Sequence, residues 1–267
     1  MTDWNGVDVD AGDVTIHVHR AGSRARPPVV FAHGFTDDGR CWSRVVEAFG
    51  DRYDMAMVDS RNHGRSGTAV GGVAAQARDL AAVITALGLD RPTVIGHSMG
   101  ASAGAVLAAE RPELVSRLVL EDPPWLAGTN PSDEVRQRRI DELQAYVAAV
   151  RAMSGDELVE LGRSQHGDWD EADLVVWREA KRQLRTEAGL GVALGDWRPV
   201  VAGLGCPTLL VRGEPERGGM VTPKVAIEAA SLNPRLVSRP VSGAGHNIRR
   251  EHLAGFLDVV RTFLDGG

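Results

Sequence analysis

The sequence predicts an α/β protein, a mostly parallel sheet flanked by helices and interrupted by one long helical insertion. Two observations carry that prediction. Short apolar runs ending in turn residues alternate with helical patterns up to about residue 122, and again after Cys206-Pro207. Between these stretches, from about Pro123 to Pro199, the chain is charged, rich in helix formers and free of strand-like runs. Strand, helix, strand at this rhythm points to a parallel sheet, because parallel neighbours need a crossover that a helix supplies.

In chain order, Val14–His19 (VTIHVH) alternates apolar and polar side chains, as a half-exposed strand does. Val29–Ala32, Met55–Val58, Thr93–Ile95 and Leu118–Leu120 are continuous apolar runs, suited to strands buried on both faces. Gln76–Leu87 has helical spacing and stops at Gly88, and Ala101–Glu110 is helix-prone and ends at Arg111-Pro112. In the insertion, Ser132–Met153 reads as a long helix capped by Ser132. Val135, Ile140, Leu143, Val147 and Val150 fall roughly on one side, and the run DEVRQRRIDE reads as a solvated face. A second helix covers about Glu171–Glu187. The alternation then resumes with a strand at Thr208–Arg212, a helix near Pro223–Ser231, a strand near Leu236–Val241 and a last helix near Arg250–Leu264.

Composition narrows the function. The 267 residues carry 30 basic and 36 acidic side chains, a net charge of -6, with no dense Lys/Arg stripe, so nucleic acid is not an expected partner. No run approaches the ~18 apolar residues of a membrane helix. The N-terminus MTDWNGVDVDAGD lacks the basic start and apolar core of a signal peptide, so a cytoplasmic location is expected. Cys41 and Cys206 are too few for a disulfide framework and read as small buried hydrophobes. No HExxH, CxxC pair or GxxxxGK[ST] occurs, which leaves metal-hydrolase and P-loop chemistry without support.

The strongest chemical signal is Gly96-His97-Ser98-Met99-Gly100, between the strand run TVI and the helix ASAGAVLAAE. It matches G-x-S-x-G, in which a serine sits on a sharp strand-to-helix turn and small residues two places away relieve the crowding. Such a nucleophile needs N–H donors aimed at the developing oxyanion. One is the backbone N–H of Met99. The other is expected from His33-Gly34-Phe35, through the N–H of Phe35, with His33 supporting the loop. Among eight histidines, the base is expected to be His246, in the glycine-loosened loop Ser242-Gly243-Ala244-Gly245-His246-Asn247 after the last strand.

These residues, in this order, resemble the α/β-hydrolase family of serine esterases, lactonases and related enzymes. The resemblance spans essentially the whole chain: HGF at 33–35, DSRNHGRS at 59–66, GHSMG at 96–100 and GAGHN at 243–247. It implies an α/β-hydrolase fold with an eight-stranded sheet, a helical cap inserted after strand 6, and no cofactor. The core would be residues 1–122 and 200–267, and the cap residues 123–199. The stretch Asp59 to Ser66 is, by the same resemblance, a structural turn beside the pocket. Serine at the elbow, where haloalkane dehalogenases and epoxide hydrolases carry Asp, limits the likeness to those enzymes to the fold.

The resemblance leaves three candidates for the acid that orients His246, Asp122 first, with Glu216 and Glu214 as alternatives. Most members place it three residues after the glycine ending the seventh strand, which is Glu216 here, with Glu214 as its neighbour. Others place it at the end of the sixth strand, which is Asp122. The expected activity is hydrolysis of a small hydrophobic carboxylic ester or lactone through an acyl-enzyme on Ser98. A C–C bond hydrolase or an acyltransferase would use the same triad, and a non-catalytic ligand-binding member would keep the pocket as a receptor. Thirteen aromatic residues are few, yet Trp125, Tyr146, Trp169, Trp177 and Trp197 all fall in the insertion. Core packing accounts for most of them, while Trp125 first, together with His97 beside the nucleophile, is expected to touch substrate. Comparing kcat for Asp122→Asn, Glu216→Gln and Glu214→Gln separates the acids: the true partner loses orders of magnitude and the other two change little.

Overall fold

The computed structural model describes residues 4–126, 132–191 and 195–266. Among them, β1 (Asn5–Asp10), β2 (Thr15–Gly22), β3 (Pro28–Ala32), β4 (Asp54–Val58), β5 (Thr93–His97), β6 (Arg117–Glu121), β7 (Thr208–Arg212) and β8 (Leu236–Pro240) form one sheet. Its spatial order is β1-β2-β4-β3-β5-β6-β7-β8. Strands β3 to β8 run parallel, and β1 and β2 add an antiparallel edge. The helices are α1 (Ser43–Phe49), α2 (Val73–Ala86), α3 (Met99–Glu110), α4 (Asp133–Ala152), α5 (Gly155–Gln165), α6 (Glu171–Gln183), α7 (Arg198–Ala202), α8 (Pro223–Leu232), α9 (Ile248–Glu251) and α10 (Leu253–Asp265). No helix among the described residues is long and apolar enough to cross a membrane.

The continuous apolar strand runs have the physical cause the sequence suggests, since alternate residues enter opposite cores. Val30, Ala32, Ala56, Val58, Val94, Leu118, Leu120 and Leu210 face α2, α3, α7 and α8. Val29, Phe31, Met55, Met57, Ile95, Val119, Leu209 and Val211 face α1 and α10. Strand β1 carries no such signal. It is a polar edge strand that buries only Val9, which explains its silence in the sequence. Helices α1 and α5 are likewise unmarked by long periodicity. A capping box starts α5, with the Ser154 side chain and Glu157 each accepting from the other's backbone N–H. The helix expected over 171–187 stops at Gln183, and the last one breaks at His252, whose Nδ1 accepts from the Gly255 N–H.

Helices α4, α5 and α6 follow β6, and Ser132 caps α4 as its sequence suggests. They enclose a small core of their own, with Val147, Val150, Leu158, Trp169, Leu174 and Trp177. Residues 127–131 and 192–194 of the expected insertion lie outside the described residues. This helical unit is fastened to the rest of the fold by polar contacts, from Arg44 of α1 to Asp173 at 2.8 Å and from the Arg185 N–H to the carbonyl of Asn62 in the loop after β4 at 2.9 Å.

One tryptophan departs from the sequence reading. Trp125, expected to touch substrate, is 3% exposed and stacks on Trp197, with ring centroids 5.2 Å apart in the core beneath α3. The chain turns its indole inward after β6, because two large apolar rings gain more from covering each other than from facing a polar cavity. Trp42 lies in the opposite core between Phe31 and Phe256. Accordingly, Trp125→Ala should lower the unfolding free energy by about 3–5 kcal/mol in urea titrations while substrate preference stays unchanged.

Candidate active site

The turn between β5 and α3 holds Ser98 at φ 51, ψ -113, a conformation a residue with a Cβ adopts only under constraint. The flanking glycines supply the room. A Cβ on Gly96 would lie 2.6 Å from the Ala101 nitrogen, and one on Gly100 would overlap the Ala32 carbonyl. The Ser98 N–H donates to the Glu121 carbonyl at 2.9 Å, which ties the turn to the end of β6. Met99 opens α3, so its N–H is among the first-turn donors without an intrahelical acceptor.

The loop after β3 crosses directly over this turn. A Cβ on Gly34 would come within 3.3 Å of the Ser98 Cβ and 2.5 Å of His97 Nδ1, so only glycine fits there. Phe35 follows, then Thr36 at φ 73. Two buried histidines hold the loop from beneath. His33 Nδ1–H donates to the Gly34 carbonyl at 2.8 Å, and its Nε2 accepts the Ser60 N–H at 2.9 Å. His63 Nδ1–H donates to the Arg61 carbonyl at 2.9 Å, leaving Nε2 to face the Thr36 N–H at 3.4 Å. Burial, aided by repulsion from His33, pushes His63 down to about 3. Asp59 anchors the same turn, accepting from the Gly39 N–H at 2.7 Å and the Arg65 N–H at 2.8 Å.

His246 sits in the loop after β8 and turns its Nδ1 onto Asp122 Oδ2 at 2.7 Å. Asp122 is fully buried at the end of β6 with φ 41. Its carboxylate also accepts the Met220 N–H at 2.8 Å and the Val221 N–H at 3.0 Å. Asp tolerates the left-handed region better than most residues, which suits it to this strand end. The other two acids stand elsewhere. Glu214 uses Oε1 to accept the Gly243 N–H at 3.1 Å, and Glu216 is exposed in the turn Pro215–Arg217. Neither reaches the imidazole, because the loop of Gly213–Val221 closes on Asp122 through its amides and turns both glutamates away. Glu251, unmarked in the sequence, braces the histidine loop by accepting the Gly245 and Asn247 N–H groups, the latter at 2.9 Å.

Ser98, His97 and His246 open onto one cavity of about 810 Å³ between the strand ends and the helices after β6. His97 lies against His246, with ring centroids 4.8 Å apart and Nε2 3.1 Å from the His246 carbonyl oxygen. Burial, with Arg249 and His246 nearby, holds His97 well below the usual histidine range. Phe35, Tyr146, Trp169 and Trp177 supply apolar wall. The wall also carries charge, unlike the hydrophobic pocket expected from the sequence. Arg250 makes paired hydrogen bonds to Asp37 at 3.0 and 3.1 Å and stacks over Trp169. Lys181 donates to the Thr36 carbonyl at 3.2 Å and lies over Trp177. Sequence reading missed Asp37, Lys181 and Arg250, since isolated charges in helical or loop segments read as solvated. Arg138 and Arg139 of the run DEVRQRRIDE stay exposed yet border the cavity.

Residues 27–252 match the family described as alpha/beta hydrolase fold. The chain is 30% identical to N-formylmaleamate deformylase of Pseudomonas putida, across 97% of this chain and 96% of the relative. It is 27% identical to 2-(acetamidomethylene)succinate hydrolase of Mesorhizobium japonicum, across 96% of this chain and 94% of the relative. In three dimensions it resembles the crystal structure of E-2-(acetamidomethylene)succinate hydrolase, with TM-score 0.79 and 23% identity, covering 98% of this chain and 99% of that one.

The buried histidine under the loop after β3 makes stability depend on pH. His63 binds its proton near 6.5 when unfolded but only near 3 when folded. Its contribution is complete above pH 6.5 and declines as pH falls toward 3, because only the unfolded chain takes up the proton there. Urea unfolding at pH 7 and pH 5 should therefore give a lower free energy at pH 5, by up to ~1.4 kcal/mol per pH unit for this residue. His63→Asn should flatten that slope.

Proposed function

Since the chain belongs to the alpha/beta hydrolase fold family, we propose that it is a cofactor-independent serine hydrolase cleaving a carboxylic ester or lactone through an acyl-enzyme on Ser98. The observation that carries this reading is the 2.7 Å contact of His246 Nδ1 with the buried Asp122 carboxylate, on the same cavity as Ser98 at its constrained elbow. Asp122 fixes the tautomer with the proton on Nδ1, which frees Nε2 to act as base. Nε2 takes the Ser98 hydroxyl proton while Oγ attacks the substrate carbonyl. The developing oxyanion is met by the Phe35 and Met99 N–H groups, the latter reinforced by the α3 dipole. His246 returns the proton to the departing oxygen, then draws a proton from the water that attacks the acyl-enzyme and passes it to Ser98 Oγ as the acid is released.

A second reading uses the same residues on an N-acyl bond. It is favoured by the full-length similarity to an enzyme named for removing a formyl group from N-formylmaleamate. A panel of matched esters, lactones and N-acyl compounds ranks the two by kcat/KM.

The shared mechanism has a direct test. The protein should cleave short p-nitrophenyl esters and take a fluorophosphonate label on Ser98, and Ser98→Ala should lose about 10³-fold or more in kcat. Undiminished turnover by that variant overturns the mechanism.

A further inference from the structure

Of the charged side chains buried in the cavity wall, Arg250 and Lys181 are cations and Asp37 is the carboxylate, and further ion pairs stand around them. Arg249 is paired with Glu121 at 3.0 Å, Arg250 with Asp37 at 3.0 Å and Arg44 with Asp173 at 2.8 Å. Lys181 is 1% exposed, and among the described residues no carboxylate comes within 4.0 Å of its ammonium. The groups that act on it are Asp37, already engaged by Arg250, Asp38, engaged by Arg40, the Cys41 thiol, and Arg250 itself; His166 feels its charge from α5's C-terminal end. A buried ammonium without a counter-ion is costly, and burial pushes Lys181 down to about 7. Lys181 carries three donors, and the Thr36 carbonyl takes one.

Its position links this unmet charge to the chemistry. Lys181 lines the same cavity as Ser98, and the carbonyl it holds belongs to Thr36, next to the Phe35 amide. We propose that Lys181 is a specificity-determining residue whose ammonium pairs with a carboxylate of the substrate, so that the preferred substrate is an acidic acyl compound. This rests on the serine-hydrolase reading above and narrows its substrate class. One unpaired ammonium matches the single charge of a carboxylate, and the aromatic wall of Trp169, Trp177 and Tyr146 accommodates the carbon skeleton. An acidic substrate departs from the hydrophobic one the sequence suggests. Recognition by Lys181 would also give selectivity, because a neutral analogue would leave the buried ammonium unmatched.

The test compares the mono-p-nitrophenyl esters of succinate and glutarate with the same compounds methylated at the free carboxylate. The native protein should prefer the acids in kcat/KM by tenfold or more. Lys181→Met should abolish that ratio mainly through KM, and Lys181→Arg should restore part of it. Any loss caused by freeing the Thr36 carbonyl affects acid and methyl ester alike and cancels in the ratio. Equal losses on both would make Lys181 a clamp for the loop, and no native preference would also count against the proposal. Calorimetric binding of glutarate to the Ser98→Ala protein gives a readout independent of turnover. Binding lost in Ser98→Ala/Lys181→Met supports the carboxylate site even if Ser98 proves not to be the nucleophile. Undetectable binding to Ser98→Ala together with an equal rate on acid and methyl ester overturns it.

Discussion

The active-site end of the sheet depends on a tight approach of backbones that only a few residue types allow. Ser98, Thr36 and Asp122 all have positive φ without being glycine, and they lie just beyond the ends of β5, β3 and β6, which are adjacent strands. Each such residue costs of order 1–3 kcal/mol and persists only where its surroundings leave no alternative. Here the surroundings are the parallel ladder itself. The Ser98 N–H is held by the Glu121 carbonyl and the Asp122 N–H by the Val211 carbonyl, both at 2.9 Å, so the strand pairing continues into the strained residues. Gly34, Gly96 and Gly100 then make the space in which three chain segments meet.

Around that meeting point, three consecutive residues of one short helix tie the loops together. Arg249 reaches Glu121 at the end of β6, Arg250 reaches Asp37 in the loop after β3, and Glu251 accepts from the amides on either side of His246. Buried ion pairs contribute little net stability, since desolvation offsets most of the attraction. Their value here is geometric: removing one partner strands the other, which fixes the relative positions of the β6 end, the His246 loop and the loop after β3. Cys41 joins this network by accepting from Arg249 at 3.2 Å, so it is more than the small hydrophobe its context suggests. Against these pairs, the Lys181 ammonium stands out, with no carboxylate within 4.0 Å among the described residues.

Much of this was legible before any coordinates. The apolar runs of β3 to β7 announce strands buried on both faces, and the strand, GHSMG and helix in succession announce the elbow, because both are local patterns with a local steric cause. Elements held by context were silent. Strand β1 is polar because it is an edge, and α1 is too short to show a period. The inward turn of Trp125 onto Trp197 was equally hidden, since a tryptophan after a strand fits a pocket wall and a core alike.

The sequence by itself determined the buried strands of the sheet, the position of Ser98 and the loops that surround it, since periodicity and turn chemistry act over a few residues. It put Asp122 ahead of Glu216 and Glu214 without excluding either. Only the tertiary structure distinguished them. The order β5-β6-β7 sets Asp122 beside the elbow, and the loop of residues 213–221 donates its amides to that carboxylate while directing its own glutamates elsewhere. His246 and Asp122 are 124 positions apart, and so is no part of any local pattern. The same holds for Lys181, whose charge reads as solvated on a helix, whereas folding buries it with no carboxylate within 4.0 Å among the described residues.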